Sequence, residues 1–171
     1  MPQRVYNNIE DYRIIDNGRV VEDVTSVTLP NITRTSTSID AAGMVGAVDV
    51  PSAYHVDAME ASVAHNNGIN CRYLAEPGQH RLEFRIARQR YSVAQGEIGF
   101  ESVKYRLTVL HKGSDKGSVE RNNPLGTTEN FSVLRFEEEQ GGEMVTLLDL
   151  MSGQNQHNGV DYASPVQSLL N

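Results

Sequence analysis

The chain has 171 residues, enough for one domain or at most two small ones. Its 39% hydrophobic and 22% charged residues are typical of a folded chain rather than a disordered one. Acidic residues outnumber basic ones 22 to 15, so the formal charge of −7 is opposite in sign to that of a protein gripping nucleic acid over its whole surface. A single cysteine, Cys71, excludes an internal disulfide and a multi-cysteine zinc site, and it suits a reducing cytosol. No apolar run approaches the roughly 18 residues of a membrane helix. Met1–Val20 has no apolar core segment, so neither a signal peptide nor a membrane anchor is expected.

Turn signals are dense along the chain, which favours short strands over long helices. Asp11–Ile15 and Arg19–Leu29 flank Asn17-Gly18, a strong hairpin signal. Thr33–Tyr54 follows, long and rich in small residues, and reads as an extended loop. Loops beyond about 12 residues without structure are uncommon unless they bind something, so a mobile loop and a segment that orders against a partner both remain open. Asp57–Ala64 is ambiguous, because its Ala, Met and Glu content favours helix while Met59, Ala61 and Val63 alternate like a strand. Gly68–Ala75 reads as a short helix, with Asn67 as N-cap and Pro77-Gly78 as its stop. From Arg81 to Arg88, Leu82, Phe84 and Ile86 alternate with polar residues. From Ser102 to Leu110, Val103, Tyr105, Leu107 and Val109 do the same, and both patterns mark half-buried strands. Lys112–Thr128 is a second long, turn-rich stretch. Asn130–Glu138 and Glu143–Leu150 read as strands joined through Gln140-Gly141-Gly142. The expected product is a mainly β domain of about seven or eight strands with one short helix.

No catalytic constellation is visible. His55, His65, His80, His111 and His157 never fall two, three or four positions apart, so no local metal-ligand pair exists and scattered surface histidines are expected. Neither a Gly-x-Ser-x-Gly elbow nor a phosphate-binding glycine loop is present. Cys71, inside the predicted helix, reads as a small buried packing residue. Glu137, Glu138 and Glu139 run into a glycine turn and read as a solvated hairpin end, not as an acid–base pair. Arg81, Arg85, Arg88 and Arg90 form the basic cluster of the chain. Phe84 falls with the core positions and Arg85 points the other way, so arginines and aromatics do not build one nucleic-acid platform. The cluster is then an exposed strand face or a subunit interface.

Three segments in order carry a resemblance: Val27-Thr28-Leu29-Pro30-Asn31-Ile32, Ala41-Ala42-Gly43-Met44 and Asp57-Ala58-Met59-Glu60-Ala61-Ser62. With Leu148-Asp149 upstream of Asn158-Gly159-Val160-Asp161 and the tail Gln167–Asn171, they resemble the major tail tube proteins of contractile-tailed phages and the tube protein of R-type pyocins over about residues 24 to 171. The chain departs from that pattern at Ile39-Asp40-Ala41, where the family usually has a basic or polar residue. The resemblance implies a single domain spanning 1–171, an antiparallel β-sandwich or barrel with one short flanking α-helix. Six copies would form a ring, and rings would stack helically into a hollow tube inside a contractile sheath. It implies a strand over Asp57–Ala64 and an inter-subunit role for the loop 33–54. It also implies the sheath protein, a baseplate or tube initiator, a tail terminator and passing phage DNA as partners, no cofactor, and a place in a virion tail assembled in the host cytoplasm. A headless contractile particle or a type VI secretion-like tube would use the same architecture. A monomeric β-sandwich binding module is the reading from another class, but the chain has no Trp and its seven Tyr are scattered.

Elementary geometry allows a conduit. With about four lining strands per subunit, as the resemblance implies, six subunits give about 24 strands. At about 4.8 Å spacing and about 40° tilt these close a circle about 48 Å across, which leaves a bore of roughly 38 Å. Closure also removes exposed sheet edges. Six copies at −7 carry −42 per ring, so a passing polyanion would release no counterions. The expected subunit-interface residues are Ala41, Ala42, Gly43 and Met44, which suit close backbone approach and gap filling. Arg85 and Arg88 join them, facing Glu137, Glu138 and Glu139 of a neighbour.

Overall fold

A computed structural model describes residues 3–170; the ends of the expected 1–171 domain, including Asn171 of the tail, lie outside the described residues. The elements in order are β1 (Arg4–Asp16), β2 (Arg19–Val21), β3 (Val24–Thr28), β4 (Arg34–Ile39), β5 (Val48–Val56) and β6 (Met59–His65). A 3-10 helix (Ile69–Ala75) precedes β7 (Gln79–Ser92), β8 (Glu97–Asp115), β9 (Thr127–Gln140), β10 (Glu143–Asp149), β11 (Gln154–His157), β12 (Val160–Asp161) and α1 (Ser164–Ser168). The protein is mainly β, and every strand pairing is antiparallel.

One ten-stranded sheet runs β12-β11-β10-β9-β8-β7-β1-β2, with β6 also paired to β9 and β3 to β6. β9 is the pivot. One of its edges is shared, Thr127–Val133 pairing with β6 and Arg135–Gln140 with β10. The changeover falls at Leu134, where a register shift against β8 inserts an extra residue and bends the strand. That bend lets β6 and β3 fold over the sheet and close a core of Phe84, Phe131, Leu82, Met59, Val63, Leu107 and Val109, all essentially inaccessible. Asn17 and Gly18 both adopt positive φ in the two-residue turn between β1 and β2, as the Asn-Gly pair predicts.

The resemblance implies a strand over Asp57–Ala64, and the segment is strand from Met59 to His65. The expected helix at 68–75 is a 3-10 helix, and Asn67 is not its cap. Asn67 sits at φ +63 and donates its N–H to His65 Nδ1, while Gly68 takes the cap position. Asparagine tolerates the left-handed region that this tight reversal requires. Cys71 packs in the core, as expected, with its thiol against the Glu22 carbonyl. The α-helix proper is Ser164–Ser168, started by Pro165 and by Asp161 Oδ1, which accepts from the N–H groups of Ala163 and Ser164.

Thr33–Tyr54 is not structureless. It forms a β4–β5 hairpin in a sheet of its own, anchored where Asn155 Nδ2 donates to the Tyr54 carbonyl (2.8 Å). Likewise β8 runs to Asp115 and β9 begins at Thr127, which shortens the expected 112–128 loop to 116–126. The two ends of that loop meet: a Cβ on Gly117 would lie 2.0 Å from the Gly126 carbonyl oxygen, so only glycine fits there.

Candidate interaction surfaces

Strand alternation gives β7, β8 and β9 one face toward the core and one away from it. The outward face carries Arg81, Glu83 and Arg85 from β7. Lys104 and Arg106 join from β8, and Arg135, Glu137 and Glu139 from β9. Register places opposite charges side by side. Arg106 Nη2 donates to Glu139 Oε2 (2.9 Å), and its Nη1 lies 3.6 Å from Glu137 Oε2. Lys104 Nζ donates to Glu139 Oε1 (2.9 Å), and Arg135 bridges Glu137 (2.6 Å) and Asp149 (3.1 Å). Arg85 pairs with Glu83 on its own strand (2.7 Å). Hydrogen bonds from Lys104 and Arg106 hold the Glu139 carboxyl below its ordinary range, and those to Glu137 and Asp149 raise Arg135. A depression of about 810 Å³ crosses this face from Ile15 and Asn17 to Arg135 and Glu137, so the face is concave.

The expected interface residues therefore separate. Arg85 is on the outward face and Arg88 on the core-side face. There Arg88 stacks over the Tyr6 ring at 4.0 Å and donates to Glu101 (2.7 Å) and Gln140 (3.1 Å). Glu137–Glu139 is not a solvated hairpin end. Glu137 and Glu139 are 17% exposed and ion-paired on one face, while Glu138 points to the other, near Tyr105, Gln140 and Thr146. The strand continues to Gln140, so the acidic run lies inside the sheet, where alternation splits it. Ala41–Met44 forms the exposed turn at the tip of the β4–β5 hairpin, closed by the Met44 N–H donating to the Ala41 carbonyl (3.0 Å).

A wing extends from the other end of the sheet. Among the described residues β2 covers only Ile14–Asp16 of β1, so Arg4–Arg13 is a free edge; β9 reaches β8 only from Val103, and the Ser102 carbonyl accepts from the Gly141 N–H, so Glu97–Glu101 is a second one. Large apolar groups stand uncovered on both faces of this wing: Val5, Tyr91, Ile98 and Phe100 on one, Ile9 and Tyr12 on the other. Ile98 and Phe100 are 63% and 67% exposed.

The histidines were expected at the surface, and three of them are not. His65 and His80 are fully buried and His111 nearly so. Glu129, 1% exposed, accepts from His111 Nε2 (2.8 Å) and the Ser114 hydroxyl, with Lys116 Nζ at 3.5 Å. Burial pushes the Glu129 carboxyl up, but the Ser114 and His111 hydrogen bonds and the Lys116 charge more than reverse it, so it ends below its ordinary value. His65 Nε2 lies 3.7 Å from the same carboxylate, too far for a hydrogen bond, and burial holds that imidazole below its usual pKa. His80 differs. Its Nδ1 faces Asp16 Oδ2 (3.0 Å) and its Nε2 faces the Glu76 carbonyl (2.7 Å). Both partners are acceptors, so the geometry calls for the imidazolium. Burial lowers the His80 pKa, and these two partners raise it further than burial lowers it. Among the described residues no group of three or more His, Cys, Asp or Glu is arranged to hold a metal, and no helix is long and apolar enough to cross a membrane.

A family model described as phage tail tube protein FII matches residues 7–170 of the chain. No curated protein sequence matches it.

Proposed function

Because the chain belongs to the phage tail tube protein FII family, a family of structural and not enzymatic proteins in the virion tail, we propose that it is the repeating subunit of a contractile phage tail tube. In this reading six copies close a ring, rings stack inside the sheath, and contraction drives the tube through a bacterial envelope. The genome then passes down the bore. An initiator at the baseplate and a terminator at the far end bound its length.

The observation that supports this best is the wing. Two free strand edges and apolar groups on both faces are a combination that a stable monomer avoids. A neighbour's edge laid against Arg4–Arg13 would satisfy the free backbone groups. The contact joins two different edges, so it is head-to-tail and closes when its rotation divides the circle. The β4–β5 hairpin, anchored at its base and exposed at Ala41–Met44, is suited to reach a neighbouring subunit. Electron microscopy of concentrated protein, beside its mass in solution, tests the reading. Rings or hollow tubes are expected. A chain that stays monomeric even with native baseplate or tail extract added refutes it.

A further inference from the structure

Resting on the tube reading above, we propose that the concave ion-paired face of β7–β10 is the wall of the bore. Glu137 and Glu139 there serve as built-in counter-ions that keep Lys104 and Arg106 off the phosphates of a passing duplex.

Three observations converge on this face. It is concave: the 810 Å³ depression meets at Arg85 a second, of about 480 Å³, where Arg13, Arg85 and Lys104 adjoin Ala87 and Phe100 at the start of the wing. From Arg81–Arg85 across Lys104–Thr108 to Arg135–Glu139 it is polar and the opposite side of the strands packs into the core, so in a closed ring it is this side of that stretch that can face water; the same face turns apolar only at the wing, where Val5, Tyr91, Ile98 and Phe100 await a neighbour. It is also rich in base although the chain as a whole is acidic. Free guanidinium and ammonium groups on such a wall would release counterions from DNA and bind it, each contact contributing about −0.9 to the slope of log affinity on log salt. In this face each of the two carboxylates holds two cations: Glu139 takes Lys104 and Arg106, and Glu137 takes Arg106 and Arg135. A phosphate would have to displace a charge-assisted hydrogen bond that already exists, and it gains little by the exchange. Arg81 and Arg13 have no carboxylate within salt-bridge distance among the described residues, so they set whatever weak affinity the native wall retains.

The test has two arms. In the first, a short fluorescent DNA duplex is titrated with the native protein, with Glu137→Gln/Glu139→Gln, and with Asp40→Asn/Asp49→Asn. The last makes the same change in net charge on the exposed β4–β5 hairpin. The wall variant should bind more tightly than native protein, with a salt slope steeper by about 2, or about tenfold more affinity lost between 50 and 200 mM salt. The hairpin variant should match the native protein. A folded wall variant with native affinity, or equal gains in both variants, overturns the counter-ion role.

The second arm places the face. Arg81, exposed on this side of β7 and away from the wing, is replaced by Cys, biotinylated and assembled, then exposed to gold-labelled streptavidin, which is too bulky to travel a bore of roughly 38 Å. Tubes bare along their length are expected. Gold along the length puts the face outside and overturns the proposal. If native protein forms no tube under any condition, the tube reading falls instead, and the first arm still decides whether the carboxylates mask the cations.

Discussion

Replacing Glu129 with Gln should cost about 3 kcal/mol of folding stability. The native carboxylate accepts two charge-assisted hydrogen bonds, from His111 and Ser114, in a site 1% exposed to solvent. Bonds of that kind contribute about 1.5–3 kcal/mol each. Both bonds end on Oε2, so the amide oxygen keeps them only as neutral bonds, weaker by about 1 kcal/mol each, while the NH₂ group replaces Oε1 and turns a donor toward Lys116, which loses its counter-charge. With a urea slope of about 2 kcal/mol per M for a domain of this size, the midpoint should fall by about 1.5 M. The chain has no Trp, so the transition is read by far-ultraviolet circular dichroism and tyrosine fluorescence on dilute, unassembled protein. The difference should depend on pH in one direction only. The folded Glu129 carboxyl lies below its unfolded value of about 4.3, so its contribution is present above that pH and lost as pH falls through the depressed folded value. A loss under 1 kcal/mol at neutral pH, or a difference unchanged down to pH 3, would refute the assignment of a charged, clamped Glu129.

The second buried pair works in the opposite sense. The His80 pKa is raised, so its pairing stabilises fully below about pH 6.5 and is lost as pH rises through the folded value. Native protein should therefore lose thermal stability on that rise, and His80→Asn, less stable by about 3–5 kcal/mol at pH 6 because Asp16 is left buried without its cation, should show a flatter alkaline side in calorimetry. Ile98→Ser/Phe100→Ser should abolish rings in electron micrographs while moving the monomer's Tm by less than about 3 °C, since both side chains are already in water. Gly43→Leu should weaken assembly and cost the monomer about 1–2 kcal/mol, because Gly43 sits at φ +93 with nothing near a new Cβ; a fully unfolded variant would show that the turn serves the fold instead.

Much of the sheet was legible because its core strands keep strict alternation: Leu82 and Phe84, or Leu107 and Val109, could face only one way. The β4–β5 hairpin was not, because Arg34–Ile39 is mostly small polar residues and the hairpin contributes nothing to the core, so no apolar period marks it. The buried charges were missed for a different reason. The histidines were weighed only for local ligand spacing and Glu129 belongs to no motif, whereas the informative signal is parity along each residue's own strand. His65 continues Met59, Ala61 and Val63; His80 precedes Leu82 and Phe84; Glu129 precedes Phe131 and Val133. A polar residue on the core parity of a strand is a buried polar residue, and it then needs a partner from another strand, which the pairing of β6, β8 and β9 supplies. The acidic run was misread by the same neglect of parity, which sends Glu138 to the face opposite its neighbours.

Parity also separates the two ends of the sheet. At the end holding Glu129, His65, His80 and His111, the apolar register gives way to polar groups that close the core with partners from the same chain. Both flanking histidine rings pack edge-on against Phe131, at 5.8 and 5.7 Å, which joins the charged layer to the apolar one. At the wing the register does the reverse. Ile9 and Tyr12 carry the core parity of β1 outward beside Thr25–Leu29, where they border a cleft and remain 65% and 38% exposed, and the polar cluster of Arg88, Glu101 and Gln140 on that side does not cover them. Burying a Phe or Ile side chain stabilises by about 1.5–3 kcal/mol, so leaving several exposed while sealing the far end with buried charges is not how an isolated domain minimises its free energy. The missing cover has to be protein, and it has to bring a strand edge, because the same segment leaves backbone donors and acceptors unpaired. A second copy of this chain would offer both in its own wing, so the proposed ring would complete a core that the single chain leaves open.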